Sequence, residues 1–112
     1  MNKSNNNILK LILLMAFADL KFQEDEKIYI LELCKKLKIN NETYTSILKD
    51  VKKSTDFFIN TCRETAKSIT EKKDRESAIQ LLSEMMAKDK VVHKTEIFVL
   101  QLIAEEWGMF VK

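Results

Sequence analysis

Four carboxylates stand out by type and spacing: Asp19 and Glu26 near the beginning of the chain, and Asp89 and Glu96 near its end. In each pair the Asp falls where a turn is expected and the Glu opens the helix that follows, as in Gln23-Glu24-Asp25-Glu26 and His93-Lys94-Thr95-Glu96. With residues 23 and 93 as N-caps, Glu26 and Glu96 stand at N3, half of a capping box. The aspartates would then hold their turns by accepting backbone N–H bonds. Paired carboxylates also run acid–base chemistry, but nothing in the pattern places these in an apolar cleft that would separate their pKa values.

The remaining reactive residues assemble no catalytic constellation. His93 is the single histidine and lacks an identifiable nucleophile partner, and one glycine in the chain leaves no glycine-rich loop for phosphates. Cys34 and Cys62 fall at apolar helical positions, too far apart for a local metal pair, and read as buried, reduced thiols that point to the cytoplasm. No enzyme is expected, and no small-molecule substrate is identified. Lys and Arg outnumber the acids by only 19 to 17, with the signs interleaved, which argues against a nucleic-acid face. The densest basic stretch, Lys35, Lys36 and Lys38 followed by Lys49, Lys52 and Lys53, sits at helix ends, where cations favour the macrodipole.

The elements that must position these groups are helices. The 112 residues make one domain, with one Gly, no Pro, 46% hydrophobic and 32% charged residues. That composition lacks the turn residues of a β-sandwich or barrel and suits an all-α chain. Apolar spacing at i, i+3, i+4 predicts helices over residues 7–19, 24–38, 41–53, 55–70, a fifth ending at 88, and 94–107. Asn5-Asn6-Asn7 are potential caps for the first helix; Asn40-Asn41 end the second and cap the third, and Ser54-Thr55-Asp56 offer a cap for the fourth. Glu71-Lys72-Lys73-Asp74 mark either a junction or continuous helix, and Gly108 sits where a left-handed C-cap belongs. Tyr29 and Trp107 read as packing residues, Phe22 and Val92 as pins holding the two turns onto the bundle, and Met85, Met86 and Met109 as gap fillers.

A shift of 70 residues lays 8–39 onto 78–109 without a gap, Ile8 meeting Ala78 and Met15 meeting Met85. Asp19 then meets Asp89, Glu26 meets Glu96, and Leu37 meets Trp107. Each copy is a helical hairpin with an acidic turn. Neither could bury its stripe alone, so the expected fold is a compact bundle of about six to seven helices with a pseudo-two-fold repeat of hairpins. The repeat also bears on the apolar run from Ile8, which, with Lys3 before it and Ala16 and Ala18 near its end, otherwise resembles an export signal. A segment duplicated within the fold reads instead as a core helix. Leu13, Leu14 and Phe17 make it apolar nearly all round, where its counterpart carries Ser83, Glu84 and Ala87, so it should be central or buried in a dimer. Its run is too short for a bilayer, which takes about 20 residues.

The stretches "AFADLKFQEDE" and "MAKDKVVHKTE" resemble the TerB-like family, helical domains named for a tellurite-resistance protein and found also in DjlA-type co-chaperones. The family pattern is Ala-Asp-Gly, an apolar residue shortly after, and a Glu opening the next helix; here Leu20 and Lys90 replace the glycine and Lys88 the second alanine. The resemblance implies a divalent cation, Ca²⁺ or Mg²⁺, held by Asp19, Glu26, Asp89 and Glu96. An EF-hand is excluded, since its loop takes roughly 12 residues to reach the Glu. From Asp19 to Glu26 there are only eight. The function implied is a cytoplasmic, non-catalytic module in a stress-response or envelope-associated protein assembly. The alternative is a plain interaction or dimerisation domain whose acids only cap helices.

Overall fold

The computed structural model describes residues 3–17, 24–53, 58–88 and 94–108. They form six helices, α1 Lys3–Ala16, α2 Glu24–Lys36, α3 Asn41–Lys53, α4 Phe58–Ser68, α5 Lys72–Lys88 and α6 Lys94–Glu106. Among the described residues there is no strand, and the chain is an all-α bundle. No helix among them is long and apolar enough to cross a membrane.

The hub is α1, which packs against each of the other five helices. Eight of its side chains, Ile8, Leu9 and every residue from Leu11 to Ala16, are buried. A helix apolar on every side has no face to give to water, and here it is surrounded within one chain. Its counterpart α5 packs against α1, α2 and α6 but makes no comparable contact with α3 or α4 among the described residues. This accounts for the difference between the two repeats: Leu14 faces a covered environment and is 1% exposed, whereas Glu84, at the matching position, is exposed.

Elsewhere the repeat positions behave alike. Ile8 and Ala78, Leu11 and Leu81, Ile12 and Leu82, Met15 and Met85, Ile30 and Leu100, and Leu33 and Ile103 are buried in both copies. The correspondence extends to the chain reversals. Lys38 (φ 59°) and Gly108 (φ 67°) both take the left-handed conformation just past α2 and α6. At α2 the Ile39 N–H donates to Cys34 O (2.8 Å) and the Lys38 N–H to Lys35 O (3.2 Å), the paired bonds of a Schellman motif. That motif ends the helix at Lys36, two residues before the lysine expected to close it.

Other helix ends also depart from expectation or match it for local reasons. α1 begins at Lys3, so Asn5, Asn6 and Asn7 lie within the helix instead of capping it. The Asn5 side chain instead donates to the Leu37 carbonyl at the end of α2 (3.3 Å), a tertiary contact in place of a local one. Asn40 does cap α3, its Oδ1 accepting the Thr43 N–H at 2.8 Å. The proposed cap at 54–56 lies outside the described residues. Residues 69–71 interrupt α4 and α5, so the charged junction is a break and not continuous helix. Across it the Arg75 Nε donates to the Ile69 carbonyl (2.7 Å), and the guanidinium lies over the Trp107 ring at 5.6 Å.

Candidate functional site

The four carboxylates singled out in the sequence are only partly placed by the structure. Asp19 and Asp89 lie outside the described residues, as do Phe22, Val92, His93 and Met109. α2 is described from Glu24 and α6 from Lys94, so Glu26 and Glu96 fall in the first described turn of their helices, while residues 23 and 93, expected to cap them, lie outside the described residues. The side chain of Glu26 is outside the described set. Glu96 is buried, with 1% of its surface exposed. Among the described residues no three His, Cys, Asp or Glu side chains come together as a metal-binding group.

Both thiols are buried and free. Burial pushes the Cys62 thiol from an ordinary 9.0 up to about 12 and raises Cys34 as well, so both stay protonated and weakly nucleophilic at neutral pH. Trp107 is a packing residue with a partner for its N–H: Nε1 donates to the Ala66 carbonyl at 2.7 Å.

A groove lies between α2 and α5. The two helices run antiparallel along it, with Tyr29 beside Glu84 at one end and Leu37 beside Ser77 at the other. It contains two adjoining hollows of about 140 and 130 Å³ that share Leu33, Lys36, Leu81 and Glu84. Leu33 and Leu81 form a buried floor, while Glu32, Lys36, Gln80 and Glu84 are exposed along the rims. The Tyr29 hydroxyl lies 3.2 Å from both Glu84 Oε2 and the Leu81 carbonyl oxygen, so it is shared between a rim carboxylate and the backbone. Burial, then the charge of Glu84 and the hydrogen bond to it, holds the Tyr29 phenol well above its usual range. The groove therefore offers an apolar floor between two acids and one ammonium.

Two further apolar features were not singled out in the sequence. Ile28 on α2 and Phe98 on α6 occupy matching repeat positions and are 51% and 49% exposed. Leu31 on α2, Ile97 on α6 and Ile59 on α4 are exposed as well. The signal for the groove was present in the repeat: Glu32 and Glu84 stand where the other copy has Leu102 and Leu14. An acid replacing a leucine at equivalent positions marks a face that one copy covers and the other leaves to water.

Comparison of the chain with protein-family models, curated proteins and solved structures gives no match.

Proposed function

We propose that the chain is a non-catalytic, TerB-like helical module that works through protein–protein contact, within a cytoplasmic stress-response or envelope-associated assembly. The observation that carries this reading is the exposed apolar pair Ile28 and Phe98, repeated on α2 and α6 at corresponding places. Six pairs of apolar repeat positions are buried in both copies, whereas Ile28 and Phe98 are apolar and exposed in both, which supports a surface role for them. In this reading the two hairpins are related by a pseudo-two-fold axis, supported by the exchange-invariant contacts α1·α2 with α5·α6 and α1·α6 with α2·α5. The test is photo-crosslinking in the cell of origin, with benzoylphenylalanine at position 28 or 98 and at exposed Lys49 as control. Defined adducts at 28 and 98 but not at 49 are expected; equal or absent adducts would refute the reading.

A second reading adds a divalent cation, Ca²⁺ or Mg²⁺, at Asp19, Glu26, Asp89 and Glu96. What supports it is the burial of Glu96 in the first described turn of α6. A ligand that binds only the folded protein raises the melting temperature, and at 100 times Kd it contributes about 2.7 kcal/mol. Titration with Ca²⁺, Mg²⁺ and Mn²⁺ should raise the transition of the wild type, and Glu26→Gln should remove that rise. An unchanged transition at millimolar ion leaves the carboxylates as caps only.

A further inference from the structure

The groove between α2 and α5 has a counterpart elsewhere in the same chain, and that counterpart is filled. Shifting by 70 residues carries Lys36 and Leu37 onto Glu106 and Trp107 of the α6 end, and Leu81 and Glu84 onto Leu11 and Leu14 of α1. The corresponding groove is therefore the one between α1 and α6. Helix α4 packs against both of those helices and occupies it. Its inward side is built from small residues, Cys62, Thr65 and Ala66, all buried. It touches the two counterpart positions directly: the Ala66 carbonyl accepts the Trp107 N–H, and the Lys67 ammonium stands 3.6 Å from the Glu106 carboxylate.

From this we infer that the α2–α5 groove is a docking site for an amphipathic helix of a partner protein, lying there as α4 lies on α1 and α6. The inference deepens the interaction-module reading and rests on it. The charges of the groove state what the helix must carry. Lys36 stands where the filled groove has Glu106, so an acid is required where α4 has Lys67. At the other end Glu32 and Glu84 call for a basic side chain. The two hollows, about 140 and 130 Å³, are comparable with the roughly 150 Å³ cavity that admits a benzene ring. The hollows overlap over Leu33 and Leu81, which is where an apolar anchor of the ligand helix would sit, the helix-in-groove mode. Leu33 and Leu81 are already buried, so the affinity comes from the anchor and the rim charges and is modest.

The probe is a fluorescein-labelled, hydrocarbon-stapled peptide of residues 58–69 carrying Lys67→Glu, compared with the same peptide retaining the lysine; stapling offsets the low helicity of so short a segment. Amide resonances of Leu33, Lys36 and Leu81 should shift on titration, and fluorescence anisotropy should show the Lys67→Glu peptide binding about threefold tighter, the scale of one exposed ion pair. In the Lys36→Glu protein, a surface change that leaves the core intact, the preference should invert. Absence of shifts in those amides at millimolar peptide, equal affinities for the two peptides, or shifts confined to Trp107 and its neighbours through displacement of α4 would each overturn the inference. So would concentration-dependent self-association lost in Lys36→Glu, which would make a second copy the occupant. With crosslinks at 28 and 98 intact, such a result removes the groove assignment and leaves the module reading standing; their loss removes the module reading itself.

Discussion

Exchanging the residues at one pair of repeat positions should produce very unequal effects. Leu14 and Glu84 are equivalent in the repeat, yet one is 1% exposed on the helix that packs against the other five and the other faces water on the α2–α5 rim. Leu14→Ala removes a fully buried isobutyl group and leaves a cavity in the hub helix, a change that costs about 2.7–5 kcal/mol in comparable cores. Leu14→Glu should cost more, because a carboxylate placed there is desolvated in surroundings built for leucine. Glu84→Leu loses only the rim hydrogen bond to Tyr29, whose hydroxyl keeps the Leu81 carbonyl within reach, and should stay within about 1 kcal/mol of wild type. For 112 residues, an unfolding entropy of roughly 2.1 cal/mol/K per residue turns a loss of ~3 kcal/mol into a fall of about 13 °C in Tm. Total stability at 0.05–0.15 kcal/mol per residue is of order 6–17 kcal/mol, so Leu14→Ala should remain folded and measurable. Guanidinium denaturation followed by the fluorescence of Trp107, the one tryptophan and a buried one, reads all three variants. If Leu14→Ala and Glu84→Leu lower the midpoint equally, α3 and α4 are not what makes the two hairpins different.

The helix ends and the buried thiols give two further expectations. Lys38 holds a left-handed conformation that costs a side-chain-bearing residue about 1 kcal/mol, so Lys38→Gly should stabilise by up to that amount and Gly108→Lys should destabilise similarly; thermal melts that rank them in the opposite order contradict the Schellman assignment. For Cys62 the folded pKa, about 12, lies above the ordinary 9.0, so the folded state holds its proton where the unfolded state releases it. Its contribution is therefore intact below about pH 9 and is lost as pH rises toward 12, by at most ~1.4 kcal/mol per pH unit. Cys34, Tyr29 and Tyr44 are shifted upward too and act in the same direction. Denaturation midpoints at pH 8, 9.5 and 10.5 should fall, less steeply in Cys62→Ala, and the Cys62 thiol should react with iodoacetamide only on unfolding; rapid labelling of the native protein would contradict its burial.

How far the candidate site could be read from the chain differs from group to group. That Glu26 and Glu96 lie in the first described turns of α2 and α6 agrees with a local reading of the chain, because a few residues and their backbone bonds decide where a helix starts. The Asn40 cap and the Gly108 reversal are local in the same way. Asn5 shows the limit. Its type suggested a cap, but its side chain reaches the end of α2, and that partner lies 32 positions along the chain. The groove was legible only in outline, through Glu32 and Glu84 replacing leucines of the other copy, since the same contrast would arise from any exposed face.

The amino-acid order alone determined that the chain is helical, where most of its helices lie and which stripe of each turns inward. Those properties depend on spacings of three and four residues and on capping side chains, interactions that the chain makes with its own near neighbours. Only the tertiary structure decided that α3 and α4 gather on α1 and not on α5, that α4 also packs against α6, and that Ile28 and Phe98 remain outside. Which of two similar surfaces is covered depends on where a third helix comes to rest, and that is settled by the packing of the whole bundle, because burying α1, apolar from Leu11 to Ala16, gains more than burying the acid-bearing α5.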